Sequence, residues 1–140
     1  MQNGLRFSII MAEDDEDDRI IIDEAFNEIA YGAEIKKFIN GEALLRYLGQ
    51  IDSSLYPSLI ILDNTLPTLS ATEMLTILKA KPEYQDIPVV IYTSSISPQK
   101  KRELLDLGAH SCIEKKSTMH DLVKLAQEFK EMAESKNKEA

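Results

Sequence analysis

The chain has 140 residues, of which 44% are hydrophobic and 29% charged, and its formal net charge is −8. A chain of this length is expected to form one domain that folds without disulfides or a structural metal. The negative charge argues against non-specific nucleic-acid binding, and no apolar stretch approaches the ~18 residues that a membrane-spanning helix needs.

The N-terminal part of the chain predicts a buried strand, a helix and a more polar strand. Residues 7–11 are mostly apolar, as in a short buried strand, and Asp15 can cap a helix that Gly32 ends. The apolar positions between these two residues recur at helical spacing. Residues 33–39 form a weaker strand pattern with two lysines inside it, which favours an edge position in a sheet.

The middle of the chain predicts a second helix, a buried strand and a third helix. Asn40 can cap the second helix, and Gly49 is a typical stop for it. The continuous apolar run of residues 58–62 is typical of a strand that is covered on both faces. Ser70 and Glu73 have the spacing of a capping box at the start of the third helix.

The C-terminal part predicts two more strand–helix pairs. Residues 89–92 form a fourth strand pattern, and Ser97 followed by Pro98 is typical of a helix start. Residues 111–114 predict a short fifth strand, and Ser117 is expected to open the last helix. Strand and helix thus alternate five times with short connections, which predicts βαβ units, a parallel sheet and helices on both of its faces.

Reactive polar residues follow four of the predicted strands at the point where each strand ends. They are Glu13 and Asp14 after the first strand, Asp63 after the third, Thr93 after the fourth and Lys115 after the fifth. The carboxyl ends of parallel strands lie along one edge of a sheet, so these side chains are expected to converge. A carboxylate can attack phosphorus, Mg²⁺ prefers hard oxygen ligands, and an ammonium group balances phosphoryl charge. The set therefore predicts a joint site for Mg²⁺ and a phosphoryl group, with Asp63 as the nucleophile.

Each of these residues also has a more ordinary interpretation when it is taken alone. The acidic run of residues 13–18 is typical of a solvated helix start, and a lone aspartate at a strand end is typical of a turn. Thr93 is equally compatible with an ordinary threonine at a strand end, and Lys115 with an ordinary surface lysine. The joint occurrence of all these residues in this order favours the Mg²⁺ and phosphoryl site.

The chain resembles the receiver domain of two-component response regulators over about residues 5–133, which leaves residues 134–140 as a short polar C-terminal tail. Four motifs carry the resemblance. Three are apolar segments, which end in Glu13-Asp14, in Asp63 with Pro67 four residues later, and in Thr93-Ser94; the fourth is Gly108-Ala109 followed by Lys115. The resemblance implies an α/β, flavodoxin-like (βα)5 fold, in which a doubly wound five-stranded parallel sheet has the strand order 2-1-3-4-5.

The resemblance also implies a role for each site residue. Asp63 would accept a phosphoryl group from a histidine of a partner sensor histidine kinase. The other implied roles are metal binding by Asp14, Asp63 and the backbone carbonyl of Thr65, water-mediated metal binding by Glu13, a switch hydroxyl on Thr93, and phosphoryl charge balance by Lys115.

The chain departs from the family pattern around these residues. Ser70 and Ala71 stand where many members have Asp-Gly, and Cys112 stands where an aromatic residue is usual. Lys116 follows the site lysine where proline, often with a cis bond, is usual; a non-proline cis bond costs roughly 3 kcal/mol. These substitutions leave the phosphoacceptor residues unchanged. They alter the neighbouring residues that would transmit the effect of phosphorylation to a partner.

The resemblance implies a stand-alone signalling phosphoacceptor rather than an enzyme. It would act in the cytoplasm, in agreement with the single cysteine, by switching a protein contact or by passing the phosphoryl group to a histidine phosphotransfer protein. It would be a monomer or a phosphorylation-dependent homodimer, without nucleic-acid or membrane partners.

Two alternatives belong to other functional classes. A pseudo-receiver would bind a protein without phosphorylation, and Lys116 and Cys112 favour this alternative. A phosphatase of the haloacid-dehalogenase type ranks last, because Thr65 stands where that class has an aspartate.

Overall fold

The structure is a computed structural model that describes the backbone of residues 8–29 and 35–139 and the side chains of those up to residue 135. Five parallel strands form one sheet in the order β2-β1-β3-β4-β5, which confirms the predicted fold class and strand order. The strands are β1 (Ile9–Ala12), β2 (Ile35–Phe38), β3 (Leu59–Leu62), β4 (Val89–Thr93) and β5 (Ser111–Glu114). The lysine-containing strand β2 lies at an edge, as its polar composition predicts.

Five helices connect and follow these strands. They are α1 (Glu16–Glu28), α2 (Gly41–Leu48), α3 (Ala71–Ala80), α4 (Pro98–Asp106) and α5 (Met119–Glu139), and a short 3₁₀ turn at Ser53–Leu55 precedes β3. Four predicted caps are present because each side chain accepts a hydrogen bond from a backbone N–H of the first turn; these are Asp15, Asn40, Ser70 and Ser97. In the described part of the chain, no helix is long and apolar enough to cross a membrane.

The last helix differs from its prediction at both ends. Thr118, not Ser117, is its cap, since the Thr118 hydroxyl accepts the N–H of Asp121 at 3.1 Å. The helix also continues through Glu139, so most of the segment expected to be a polar tail belongs to α5. The predicted helix stop at Gly32 and the predicted first strand residue, Phe7, lie outside the described residues.

Two apolar cores cover the two faces of the sheet. Alternate residues of each central strand point to opposite faces, so Ile10 contributes to the core under α2, α3 and α4, whereas Ile9 contributes to the core under α1 and α5. All residues of β1 and β3 are buried, which explains the continuous apolar runs in their sequences. Because both faces are covered, polar side chains that follow the central strands emerge only at the edge where those strands end.

One tight turn depends on glycine. Gly108 has a φ of +113°, and a Cβ added there would lie 3.0 Å from Cγ of Lys79. The Lys79 ammonium donates hydrogen bonds to the carbonyls of Gln85 and Ile87, each at 2.9 Å, so this side chain cannot move aside freely.

We therefore expect Gly108→Ala to lower the free energy of unfolding by about 1–2 kcal/mol, because an L side chain is strained at this φ. Urea denaturation measures the change. Gly49→Ala is the matched control, since Gly49 has a φ of −74° and its added Cβ meets nothing closer than 3.6 Å. Equal effects of the two substitutions would contradict the assigned cause.

Candidate functional site

The ends of four strands bring the predicted site residues to one edge of the sheet. The backbone N–H of Asp63 donates to the carbonyl of Ala12 at 3.1 Å, and the N–H of Lys115 donates to the carbonyl of Thr93 at 2.8 Å. The N–H of Glu13 donates to the carbonyl of the edge strand β2 at Phe38, at 2.9 Å. The sheet ladder thus extends one residue beyond the strands and holds the backbone of the site rigidly.

Three carboxylates form a cluster at this edge. Glu13, Asp14 and Asp63 each offer one carboxylate oxygen, and these three oxygens lie within 4.8 Å of one another. Glu13 is completely buried and Asp63 is 3% exposed, whereas Asp14 is open to solvent. The cluster therefore has two buried acids and one side from which an ion or a second molecule can approach.

The ammonium group of Lys115 lies among carboxylates. Its Nζ is 2.9 Å from Oε1 of Glu13 and 3.3 Å from Oδ2 of Asp63. A third carboxylate, Asp18 in the first turn of α1, is the nearest of all at 2.7 Å. The sequence analysis placed Asp18 only in the acidic run of a solvated helix start, because no spacing rule relates a residue of α1 to one that lies 97 positions later.

The second oxygen of Asp63 is held by the loop that follows β3. Oδ1 accepts a hydrogen bond from the Thr65 backbone N–H at 3.1 Å and one from the Thr65 hydroxyl at 3.2 Å. Both oxygens of Asp63 therefore have donors, one from Thr65 and one from Lys115. The carbonyl of Thr65 as a metal ligand stays a prediction.

The hydroxyl of Thr93 lies at the end of β4 and makes its hydrogen bond with the loop that follows. Thr93 is 1% exposed, and its hydroxyl donates to the backbone carbonyl of Ser95 at 3.3 Å. The sequence places this hydroxyl correctly at the end of β4, but its direction depends on the loop that follows.

Burial and neighbouring charges shift the pKa values of the two buried acids, Glu13 and Asp63, in opposite directions. Burial raises the pKa of Glu13 to about 7, and the adjacent Asp63 adds to this effect against the opposing influence of Lys115. Burial also opposes ionisation of Asp63. A hydrogen bond with Glu13, the Thr65 N–H and the charge of Lys115 together outweigh it and lower the pKa of Asp63.

Burial and the neighbouring carboxylates also act on the pKa of the Lys115 ammonium group. Burial alone would lower the pKa of Lys115, but the hydrogen bond with Asp18 and the adjacent carboxylate of Glu13 outweigh burial and raise it. Lys115 is therefore charged at neutral pH. It also lies 5.7 Å from the ring centroid of Tyr92, whose own pKa burial raises to about 12.

The acidic cluster fits a hard divalent cation. Its donors are carboxylate oxygens, which Mg²⁺ and related ions prefer. Oε1 of Glu13 lies near Lys115, yet among the described residues it accepts no well-aligned hydrogen bond although it is fully buried. A buried oxygen of this kind is suited to receive a hydrogen bond from an ion-bound water.

The departures noted in the sequence have simple structural outcomes. Ser70 begins α3 and forms a complete capping box with Glu73. Cys112 is 8% exposed and belongs to the apolar core. The bond between Lys115 and Lys116 is trans, like every other described peptide bond.

Comparison with known proteins agrees with this geometry. A family model described as the response regulator receiver domain matches residues 9–127. FilR2 of Methanothrix harundinacea, a probable methanogenesis regulatory protein, is 28% identical over 127 residues, which are 89% of this chain and 82% of FilR2. The response regulator Rcp1 of Synechocystis is 28% identical over 122 residues, which are 85% of this chain and 83% of Rcp1.

Two solved structures share the fold and some of the sequence. The Mn²⁺-bound form of Rcp1 has a TM-score of 0.76 at 26% identity, over 88% of this chain and 91% of that one. The phosphorylated cyanobacterial phytochrome response regulator RcpA has a TM-score of 0.79 at 27% identity, over 90% of this chain and 92% of that one. With the family model spanning most of its length, the chain belongs to the response regulator receiver domains, the signalling phosphoacceptors of two-component systems.

Proposed function

We propose that Asp63 accepts a phosphoryl group from the phosphohistidine of a sensor histidine kinase, in a reaction that requires Mg²⁺. The observation that carries the proposal is the environment of Asp63. It is a buried carboxylate whose pKa is lowered, it is adjacent to two further acids, and it contacts a charged ammonium group. The phosphorylated structure of the related RcpA supports the same reaction class.

In the transfer step, a carboxylate oxygen of Asp63 forms a bond with phosphorus while the bond between phosphorus and the histidine nitrogen breaks. The electron pair stays on the imidazole nitrogen of the kinase, which takes a proton from solvent. Asp63 attacks as an anion, and the lowered pKa keeps it ionised at neutral pH. Lys115 balances charge on the phosphoryl oxygens.

The metal would be held by Asp14, Asp63, the backbone carbonyl of Thr65 and, through water, Glu13. When bound, Mg²⁺ supplies the positive charge that allows an anionic carboxylate and an anionic phosphoryl group to approach each other. Asp14 provides the solvent-exposed side of the site. The Mn²⁺-bound structure of Rcp1 supports divalent ion binding in a related receiver.

The Thr93 hydroxyl would report the new phosphoryl group. In the unphosphorylated protein it donates to Ser95, and we propose that it turns to donate to a phosphoryl oxygen instead. This change would shift an existing two-state equilibrium of the β4–α4 loop. The signal then leaves through a protein contact or through onward transfer to a histidine phosphotransfer protein.

A second candidate is a pseudo-receiver that binds its partner without phosphorylation. The observation that favours it is that three carboxylates surround Lys115, so a phosphoryl group would have to compete with them for the ammonium. A response to Mg²⁺ and to phosphoryl donors separates the two candidates.

The acceptor prediction is that acetyl phosphate with Mg²⁺ adds one phosphoryl group to the wild-type protein and none to Asp63→Asn, since an amide is not a nucleophile towards phosphorus. Intact-mass spectrometry measures the addition. Asp52→Asn, which replaces an exposed aspartate outside the acidic cluster, is the control and should behave as wild type. An unchanged wild-type mass with donor and metal present would exclude the proposed reaction.

The metal prediction is that Mg²⁺ shifts the backbone NMR signals near Asp14 and Asp63, with an affinity that Asp14→Asn lowers by at least about tenfold, because a direct ligand is lost. Asp17→Asn changes the same charge on an exposed residue outside the cluster and serves as the control. A pseudo-receiver would show no such Mg²⁺-dependent shift.

The pH prediction concerns Glu13 in the metal-free protein. Its pKa in the folded state is about 7 and its ordinary value is 4.5, so folding favours its protonated form. The stabilisation that Glu13 gives is complete at pH values below its ordinary pKa, and it is lost as the pH rises through its pKa in the folded protein. This lowers the free energy of unfolding by no more than about 3 kcal/mol. Urea denaturation in a chelator should show this loss in wild type.

Glu13→Gln should remove that part of the pH dependence, because the amide does not titrate. Glu24→Gln on the exposed face of α1 is the control, and it should retain the wild-type dependence. The same pH profile for Glu13→Gln and wild type would show that Glu13 does not titrate in this range.

A further inference from the structure

Among the described carboxylates that contact Lys115, Asp18 is the one that the proposed acceptor chemistry does not use. Its Oδ2 lies 2.7 Å from Nζ, closer than Glu13 at 2.9 Å or Asp63 at 3.3 Å. Asp18 lies in the first turn of α1, where its own N–H donates to the cap Asp15 at 3.0 Å. The helix cap therefore fixes its backbone, and its carboxylate reaches the ammonium from the helix side.

Three carboxylates surround the ammonium. Nζ donates hydrogen bonds to Asp18 and Asp63, and it lies 2.9 Å from Oε1 of Glu13 without an aligned hydrogen bond. A phosphoryl oxygen on Asp63 must approach the same ammonium, so it competes with these carboxylates for Lys115.

Asp18 is the partner that can leave most easily. Its side chain is 27% exposed, whereas Glu13 is fully buried and Asp63 is 3% exposed. A released Asp18 carboxylate returns to water, but either buried carboxylate would lose its neighbouring cation without gaining contact with water, which is more unfavourable. Rotation of the Asp18 side chain is sufficient, since its backbone stays in the helix.

We propose that Asp18 is a positioning residue that holds Lys115 in the unphosphorylated state and releases it to the phosphoryl group. The inference rests on the proposed function of Asp63. Two effects of opposite sign follow. Asp18 competes with the phosphoryl group for the ammonium, and so disfavours the phosphorylated state. It also draws the ammonium away from Glu13 and Asp63, and so leaves these carboxylates more available to a cation.

The test is Asp18→Asn, which keeps the size of the side chain and removes its charge. We expect it to bind the phosphoryl mimic beryllofluoride about three- to tenfold more tightly at saturating Mg²⁺, as for one partly exposed charged hydrogen bond. We expect its Mg²⁺ affinity without beryllofluoride to fall by a similar factor of about three to ten, since Lys115 then competes more strongly for the acids. NMR titration with Mg²⁺ alone and with Mg²⁺ plus beryllofluoride measures both affinities.

Asp17→Asn is the matched control, because it removes the same charge from the next, exposed position of the same helix turn. Its two affinities should stay close to wild type. If Asp17→Asn and Asp18→Asn behave alike, the effect is general electrostatics and the inference is wrong. If Asp18→Asn weakens both affinities together, its role is structural and the inference is equally wrong.

Two further outcomes are distinguishable. Absence of beryllofluoride binding in wild type would overturn the proposed function and the inference with it, whereas wild-type binding that Asp18→Asn leaves unchanged would overturn the inference alone. If Asp18→Asn does not fold, Asp18→Ser removes the charge with a smaller side chain and is expected to give the same opposite shifts. Failure of both variants to fold would assign Asp18 to folding and overturn the inference.

Discussion

The ammonium group of Lys115 makes the rest of the site possible. Ionised carboxylates are very unfavourable inside a protein unless a charge and hydrogen bonds compensate them. Glu13 and Asp63 are both buried at the end of the sheet, and Lys115 contacts both. This cation therefore favours the ionised form of Asp63, together with the hydrogen bonds that Asp63 makes with Glu13 and Thr65.

The shared cation also explains why the two buried acids differ. One positive charge cannot fully compensate two neighbouring carboxylates, so a proton remains on the acid that has fewer donors. Asp63 has Thr65 as a second source of hydrogen bonds, whereas Oε1 of Glu13 has no aligned donor in the described part of the chain. Burial thus raises the pKa of Glu13, whereas at Asp63 hydrogen bonds and the charge of Lys115 outweigh burial and lower the pKa.

The sheet supplies the precision that this arrangement needs. Parallel strands with both faces covered offer one place for polar side chains, namely the edge at their carboxyl ends. Backbone hydrogen bonds continue past the ends of β1, β3 and β5 and hold the residues that follow them. The first turn of α1 then approaches the same edge and adds Asp18. The strands thus hold the backbone of the site in place, whereas the side chain from α1 can change its position.

Most of the fold and most of the site could be predicted from the sequence. Strand runs and caps such as Asp15, Asn40 and Ser70 act over a few residues, so local patterns determine them. The alternation of elements then implies where the strands end together. The last helix was predicted less well, since Ser117 and Thr118 are both capping residues and only the backbone path selects Thr118.

The sequence by itself determined which residues meet at the edge of the sheet, because the alternation of strands and helices with short connections implies parallel strands, and the resemblance to receiver domains implies their order. Only the tertiary structure decided which atoms contact each other there. The direction of the Thr93 hydroxyl, the orphaned oxygen of Glu13 and the contact of Asp18 with Lys115 depend on side chains from distant segments. Such contacts form at a few ångströms under the joint constraint of packing and charge, and no short-range pattern along the chain encodes them.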